Sequence, residues 1–193
     1  MSIVLVFALI ALVVVVLVLL YGVKIYNGLV RNRQMVKEGW SGIDVQLKRR
    51  TDLIPNMIAA VKGYMSHERD TLEEVTSLRA RAQAVGDDKP AERAQIEGML
   101  TASLGRLLAI AENYPDLKAS QNFMELQQAL QTIEDQIQLA RRYYNGAVRQ
   151  LNIHVEQFPS NIVAGMFGFK SAEFFEVDEP ADRDVPTVSF DKA

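Results

Sequence analysis

From residue 3 to residue 23 the chain carries 21 residues without one charged side chain. At about 1.5 Å of rise per residue, a helix of that length measures ~31 Å, against about 30 Å for a bilayer's hydrocarbon core. The run therefore predicts a transmembrane helix. A cleaved signal peptide fits less well. Nothing basic precedes the run except the terminal amine, the run is too long, and no small-x-small site follows it.

The charges beyond the run set an expected orientation. Lys24, Arg31, Arg33 and Lys37 all follow within about 15 residues, while the N-terminal side has no Lys or Arg. The positive-inside rule places the N-terminus outside and residues 24–193 in the cytoplasm. The net charge of −3 conceals a gradient. Residues 24–69 sum to +5 and residues 70–193 to −8. The basic end adjoins the anchor, where each basic residue gains about 1 kcal/mol from anionic headgroups. Residues 24–37 are thus a candidate lipid contact, although setting topology accounts for them equally well. An acidic distal part opposes nucleic-acid binding, which needs a basic stripe with exposed aromatics. With no cysteine, the chain has no lipoprotein anchor, disulfide or thiolate site.

Helical periodicity dominates the chain beyond the anchor. Val36, Trp40, Ile43 and Leu47 make one apolar stripe on a helix leading out of the membrane. Trp40 stands ~25 Å beyond the membrane edge on a straight helix, too far for an interfacial belt, so core packing is its expected role and a partner surface the alternative. Thr51, Asp52 and Pro55 predict a break or sharp kink near residues 51–55, with a continuous helix kinked at Pro55 as the alternative. A second stripe runs from Ile54 to Ala82 and ends at GDDKP, residues 86–90. The third covers Ile96 to Ala111, and NYPDLKAS, residues 113–120, forms the next turn. The fourth, from Phe123 through Ile137, Tyr144 and His154 to Phe158, keeps spacings of 3 and 4 over about five heptads, favouring a helix bundle or coiled coil. After residue 160 an aromatic stretch with Phe167, Phe169, Phe174, Phe175 and Phe190 leads into an acidic tail. It either packs back along the helices or serves another chain as a docking strip.

Catalytic patterns are scarce. His67-Glu68 begins a zinc-protease motif, but the second histidine would stand at Thr71. His154 lies on an apolar stripe, and a site joining it to His67 needs a convergence that spacing does not indicate. No phosphate loop or nucleophile elbow occurs. Glu73-Glu74, Asp87-Asp88 and Glu134-Asp135 read as solvated faces or turn residues. No catalytic residue, cofactor or metal ligand is expected.

The chain also repeats itself. KIYNGLVRNRQMVKEGW, residues 24–40, aligns with RYYNGAVRQLNIHVEQF, residues 142–158. Tyr, Asn, Gly, Val, Arg and one Glu are identical, and Trp40 matches Phe158. In each copy the Tyr shares a helix face with the residues three and four positions on. The glycine lies off that face and costs about 1 kcal/mol in a helix interior. Each copy thus reads as a unit with an apolar face inward and a small, polar flank sideways. Tyr26, Asn27, Gly28 and Arg31, with Tyr144, Asn145, Gly146 and Arg149, are the candidate assembly contacts. Duplication without an assembly role is the plainer alternative.

The stretches YNGLVRNRQMVKEGWSGIDVQLKRRTDLIPNMIAAVKGYMSHE (26–68) and RRYYNGAVRQLNIHVEQFPSNIVAGMFGFKSAEFFEV (141–177) resemble the LemA family of bacterial membrane proteins. The resemblance covers nearly the whole chain. It implies an all-α protein: an anchor at 1–23, an antiparallel, up-and-down four-helix bundle at 24–160, and an extended aromatic and acidic tail at 161–193. It implies no enzyme activity and no catalytic residues. The expected function is a single-pass scaffold or membrane-organising element of the bacterial inner membrane that partners with itself as a homo-oligomer. The alternative is an adaptor for a membrane zinc metalloprotease or another envelope protein, with the aromatic residues as the docking strip.

Overall fold

The structure, a computed structural model, describes residues 3–65, 68–86 and 89–176. Six helices follow in order: α1 (Ile3–Lys62), α2 (Arg69–Ala84), α3 (Pro90–Ala111), α4 (Pro115–Lys118), α5 (Gln121–Glu156) and α6 (Ser160–Met166). No strand occurs among the described residues. His67, the pair Asp87-Asp88, and the tail from residue 177, Phe190 included, lie outside them.

The expected break at residues 51–55 is absent: α1 continues through Pro55 to Lys62. Proline has no N–H to give the carbonyl four residues back, which here is that of Thr51. Arg79 Nε on α2 donates to this buried carbonyl at 2.9 Å instead. The face around the proline also has reason to stay helical, because it buries Ile54, Met57 and Val61. The chain turns at Gly63, where the N–H groups of Tyr64 and Met65 both donate to the Val61 carbonyl. What reads as one stripe from Ile54 to Ala82 is therefore the end of α1 followed by α2.

The chain divides into two compact units, Met1–Gln46 with Gln136–Phe174, and Leu47–Asp135 with Phe175–Ala193. In the second unit, apolar stripes close on one another as their spacing predicts. Ile54, Met57 and Val61 of α1 join Leu72, Val75 and Leu78 of α2, Leu100, Leu104 and Leu107 of α3, Leu117 of α4, and Phe123 and Leu130 of α5 in one buried cluster. Side chains of this kind contribute about 1.5–3 kcal/mol each when fully buried.

In the first unit α1 and α5 run antiparallel. Leu29 clusters with Leu151, whereas further along α1 Gly39 meets Tyr144 and Glu38 accepts a hydrogen bond from Tyr143 at 3.3 Å. Numbering rises along one helix as it falls along the other. The apolar window of α1 is long enough to cross a membrane and is 0 % buried.

Candidate functional site

Antiparallel pairing brings the two copies of the repeated phrase together within the first unit. Their apolar positions turn inward. Leu29 of the first copy and Tyr144, Ala147 and Val148 of the second are buried, and Tyr26 and Val30 are half-buried. Asn27, Arg31 and Arg149 are exposed, and Gly28, Asn145 and Gly146 are half-exposed. A Cβ added at Gly28 or Gly146 would meet nothing within 4 Å. The tight approach inside the chain is at a different glycine. A Cβ on Gly39 would sit 2.9 Å from Tyr144 Cα, so only glycine lets the two backbones close here. The repeat conceals this residue, because its counterpart in the second copy is Gln157.

Each repeated tyrosine is held differently. Tyr144 packs against Trp40, ring centroids 5.6 Å apart, which gives Trp40 its expected packing role. Its hydroxyl donates to the Glu173 carbonyl oxygen at 2.8 Å. Burial, and then the negative charge of Glu173, push this phenol up to about 12. Tyr26 would face Phe158 if the pairing were symmetric, since Phe158 is the counterpart of Trp40. Instead Tyr26 makes edge contacts with Phe167 and Phe169, at 4.8 and 5.8 Å between centroids. Phe158 turns out of the seam where the sequence placed it and is 74 % exposed.

The aromatic stretch behind α6 folds back within the same unit as far as Phe174. The Asn152 side chain brackets Ala172, accepting from its N–H at 2.8 Å and donating to its carbonyl at 3.0 Å. Residues 169–176 have no regular secondary structure, so the described part of SAEFFEV, residues 171–176, is a docked segment and not a strand. Of the four candidate docking residues, Phe169 and Phe175 are buried and Phe174 is half-buried, leaving Phe167 exposed. The Arg33 guanidinium stands 4.8 Å from the centre of the Phe169 ring.

The second unit contains a site that stripe reading misses. Arg50 is 1 % exposed, yet its guanidinium pairs with the equally buried Glu97, with Glu134 at 2.8 Å, and donates to the Thr101 hydroxyl at 2.6 Å. Glu97 also accepts from Arg93 Nε at 3.0 Å, and Arg93 reaches the Val85 carbonyl at 3.2 Å. Two guanidiniums and two carboxylates thus sit together beside an apolar core. Glu134 is not the solvated-face residue its pairing with Asp135 suggests. A signal was present: Arg50 falls between Leu47 and Ile54 at spacings of three and four, where an apolar residue is expected. Such a cluster positions helices; isolated charges at these depths would be very costly.

His154 Nδ1 lies 2.9 Å from the Gln150 carbonyl one turn back on its own helix. Among the described residues no three His, Cys, Asp or Glu side chains group as a metal site.

Comparison with known proteins places these features in a family. A model described as the LemA family matches residues 39–190. Protein LemA of Metamycoplasma hominis is 27 % identical over 161 residues, covering 83 % of this chain and 73 % of that one. Magnetosome protein MamQ 2 of Paramagnetospirillum magneticum is 24 % identical over 188 residues, covering 85 % of this chain and 68 % of that one.

Proposed function

Because the chain belongs to the LemA family, we propose that it is a single-pass, non-enzymatic helical protein that assembles with itself at the bacterial inner membrane. In this reading α1 anchors it, the helices behind form an up-and-down four-helix bundle on the cytoplasmic side, and the assembly organises the membrane or scaffolds other components. The observation that carries the proposal is the pair of open flanks. Gly28 and Gly146 have no neighbour within 4 Å of an added Cβ, although glycine costs a helix about 1 kcal/mol. Asn27 and Arg31 flank the first, and Asn145 and Arg149 the second. A surface that keeps two costly glycines without using them internally suits lateral contact with neighbouring copies. Confinement to two dimensions raises effective concentration, so weak contacts suffice. Relatives named for the magnetosome support a membrane-associated role.

The test is the mass of the full-length chain in mild detergent, by mass photometry with detergent accounted for. A discrete large species is expected, and Gly28→Leu with Gly146→Leu should disperse it without loss of helicity. A monomeric wild-type chain would overturn the proposal and favour the adaptor reading. Assembly unchanged in the double variant would remove the flanks as its cause.

A further inference from the structure

The paired phrases break their own symmetry at one end, and the break leaves an apolar surface. Phe158, which the repeat pairs with the packed Trp40, is exposed. Beyond it α6 presents Ile162 and Met166, at successive intervals of four residues and 54 % and 75 % exposed, and then Phe167 at 58 %. Phe158, Ile162 and Met166 follow one another beside a packed side on which Ser160 and Ala164 are buried and Val163 half-buried, and Phe167, which also meets Tyr26 edge-on, extends the exposed surface just past the end of α6. No residue from 157 to 169 carries a charge. The surface is thus apolar, open and uncharged.

Its position along α1 identifies what covers it. Phe158, Pro159 and Ser160 line a groove with Tyr21, Lys24, Ile25 and Gly28. Ala164 clusters with Ile25, Tyr26 and Leu29. The uncharged run of α1 ends at Val23, so residues 24–29 stand only about 2–9 Å past it along the helix axis. The headgroup layer is about 5–8 Å deep on each side of a bilayer. Helices that lie in the interface bury their apolar face about 5–10 Å into the headgroup and acyl boundary. Height and chemistry coincide. We propose that residues 158–167 are a second membrane contact, a short apolar face that rests in the headgroup layer beside the α1 span and takes lipid as its partner. The inference depends on the reading that α1 crosses the membrane. It adds a shallow wedge in one leaflet next to a full span. A shallow insertion of this kind occupies area in one leaflet only, which gives the proposed membrane-organising role a physical means.

The chain has no native cysteine, so single bimane labels can be placed on the full-length protein in phosphatidylethanolamine–phosphatidylglycerol vesicles that carry nitroxide lipids. Ile162→Cys and Met166→Cys report on the proposed contact, and Leu12→Cys on the span. Tyr143→Cys reports on a site beside Glu38, about 22 Å past the end of the run. The expected result is quenching by headgroup-proximal nitroxides at 162 and 166, with blue-shifted emission and protection from aqueous iodide, and none of these at 143. If 12 is quenched by deep nitroxides while 162 and 166 behave like 143, the anchor stands and the second contact is overturned. If 162 and 166 are shielded from iodide yet untouched by nitroxide lipid, a protein surface or second copy covers them, and lipid is again overturned. A label at 12 that no lipid quencher reaches removes the anchor and this inference together.

Discussion

The two units solve the problem of joining helices by opposite means. The first, from the juxtamembrane part of α1 and the end of α5, relies on shape: a glycine that lets backbones touch, aromatic edges on tyrosines, and an asparagine clasping a returning segment of chain. The second relies on buried charge beside an apolar core, with Arg50, Arg93, Glu97 and Glu134 at its polar centre and Arg79 restoring the hydrogen bond that Pro55 removes. Shape complementarity tolerates loss of a polar group but not added volume. A buried charge cluster tolerates modest volume change but not loss of one charge. The comparison therefore predicts which kind of substitution hurts where.

The largest effect belongs to Glu97. Replacing it with Ala removes the carboxylate that Arg50, 1 % exposed, shares with Arg93, leaving Arg50 with Glu134 and the Thr101 hydroxyl, and breaking buried pairs costs about 3–5 kcal/mol. Arg50→Ala should cost less, because Glu97 keeps Arg93 and Glu134 reaches solvent. Urea unfolding of the full-length chain, followed by circular dichroism, ranks the two, and an equal or reversed order would show that the four charges do not act as one cluster. Next comes Gly39→Leu. Overpacking typically costs about 1–3 kcal/mol, and here the obstacle is the Tyr144 backbone, which cannot rotate away. Gly28→Ala, by contrast, should leave the fold unchanged or firmer by up to about 1 kcal/mol. If Gly39→Leu were as harmless as Gly28→Ala in the same melt, shape would not be what holds the first unit.

Arg79→Met comes third. It leaves the Thr51 carbonyl buried without a donor, at about 1–3 kcal/mol. Pro55→Ala supplies the missing N–H, so the double variant should recover most of the loss, and strictly additive effects would refute the substitution of one donor for the other. The smallest effect is at Tyr144. Its phenol rises from 10.0 unfolded to about 12 folded, so the folded chain holds this proton more tightly. That contribution is whole below about pH 10 and is lost as pH climbs through about 12. Tyr144→Phe removes the bond to Glu173, at about 0.5–1.5 kcal/mol, and should flatten this alkaline slope. A slope identical to wild type would place its cause elsewhere.

Much of this architecture is legible in the sequence. The uncharged run marks the span, and stripes at spacings of three and four mark the helix faces. The duplicated phrase marks the two segments that pair, although not that they pair with each other. What escaped reading depends on partners distant in sequence. Pro55 looks like a helix end because its compensating donor, Arg79, lies on another helix. Glu134 looks like a solvated charge because it adjoins Asp135, and only the fold brings it to Arg50. Gly39 escapes because a repeat directs notice to what recurs, whereas the closest backbone approach falls where the copies differ. Phe158 misleads for the same reason: its period places it in the seam, and the turn at Pro159 takes it out.

Antiparallel pairing of the two phrases has a further consequence once α1 is fixed in a bilayer. Chains inserted with the same polarity carry their first phrases parallel, pointing away from the same membrane face. First cannot mate with first in the manner seen here, because one chain would have to stand upside down. The second phrase, returning toward the bilayer, is the partner with the right direction. Membrane insertion thus acts as a compass for folding: it leaves the hairpin within one chain, or a reciprocal exchange of second phrases between two upright neighbours, as the available ways to complete the match.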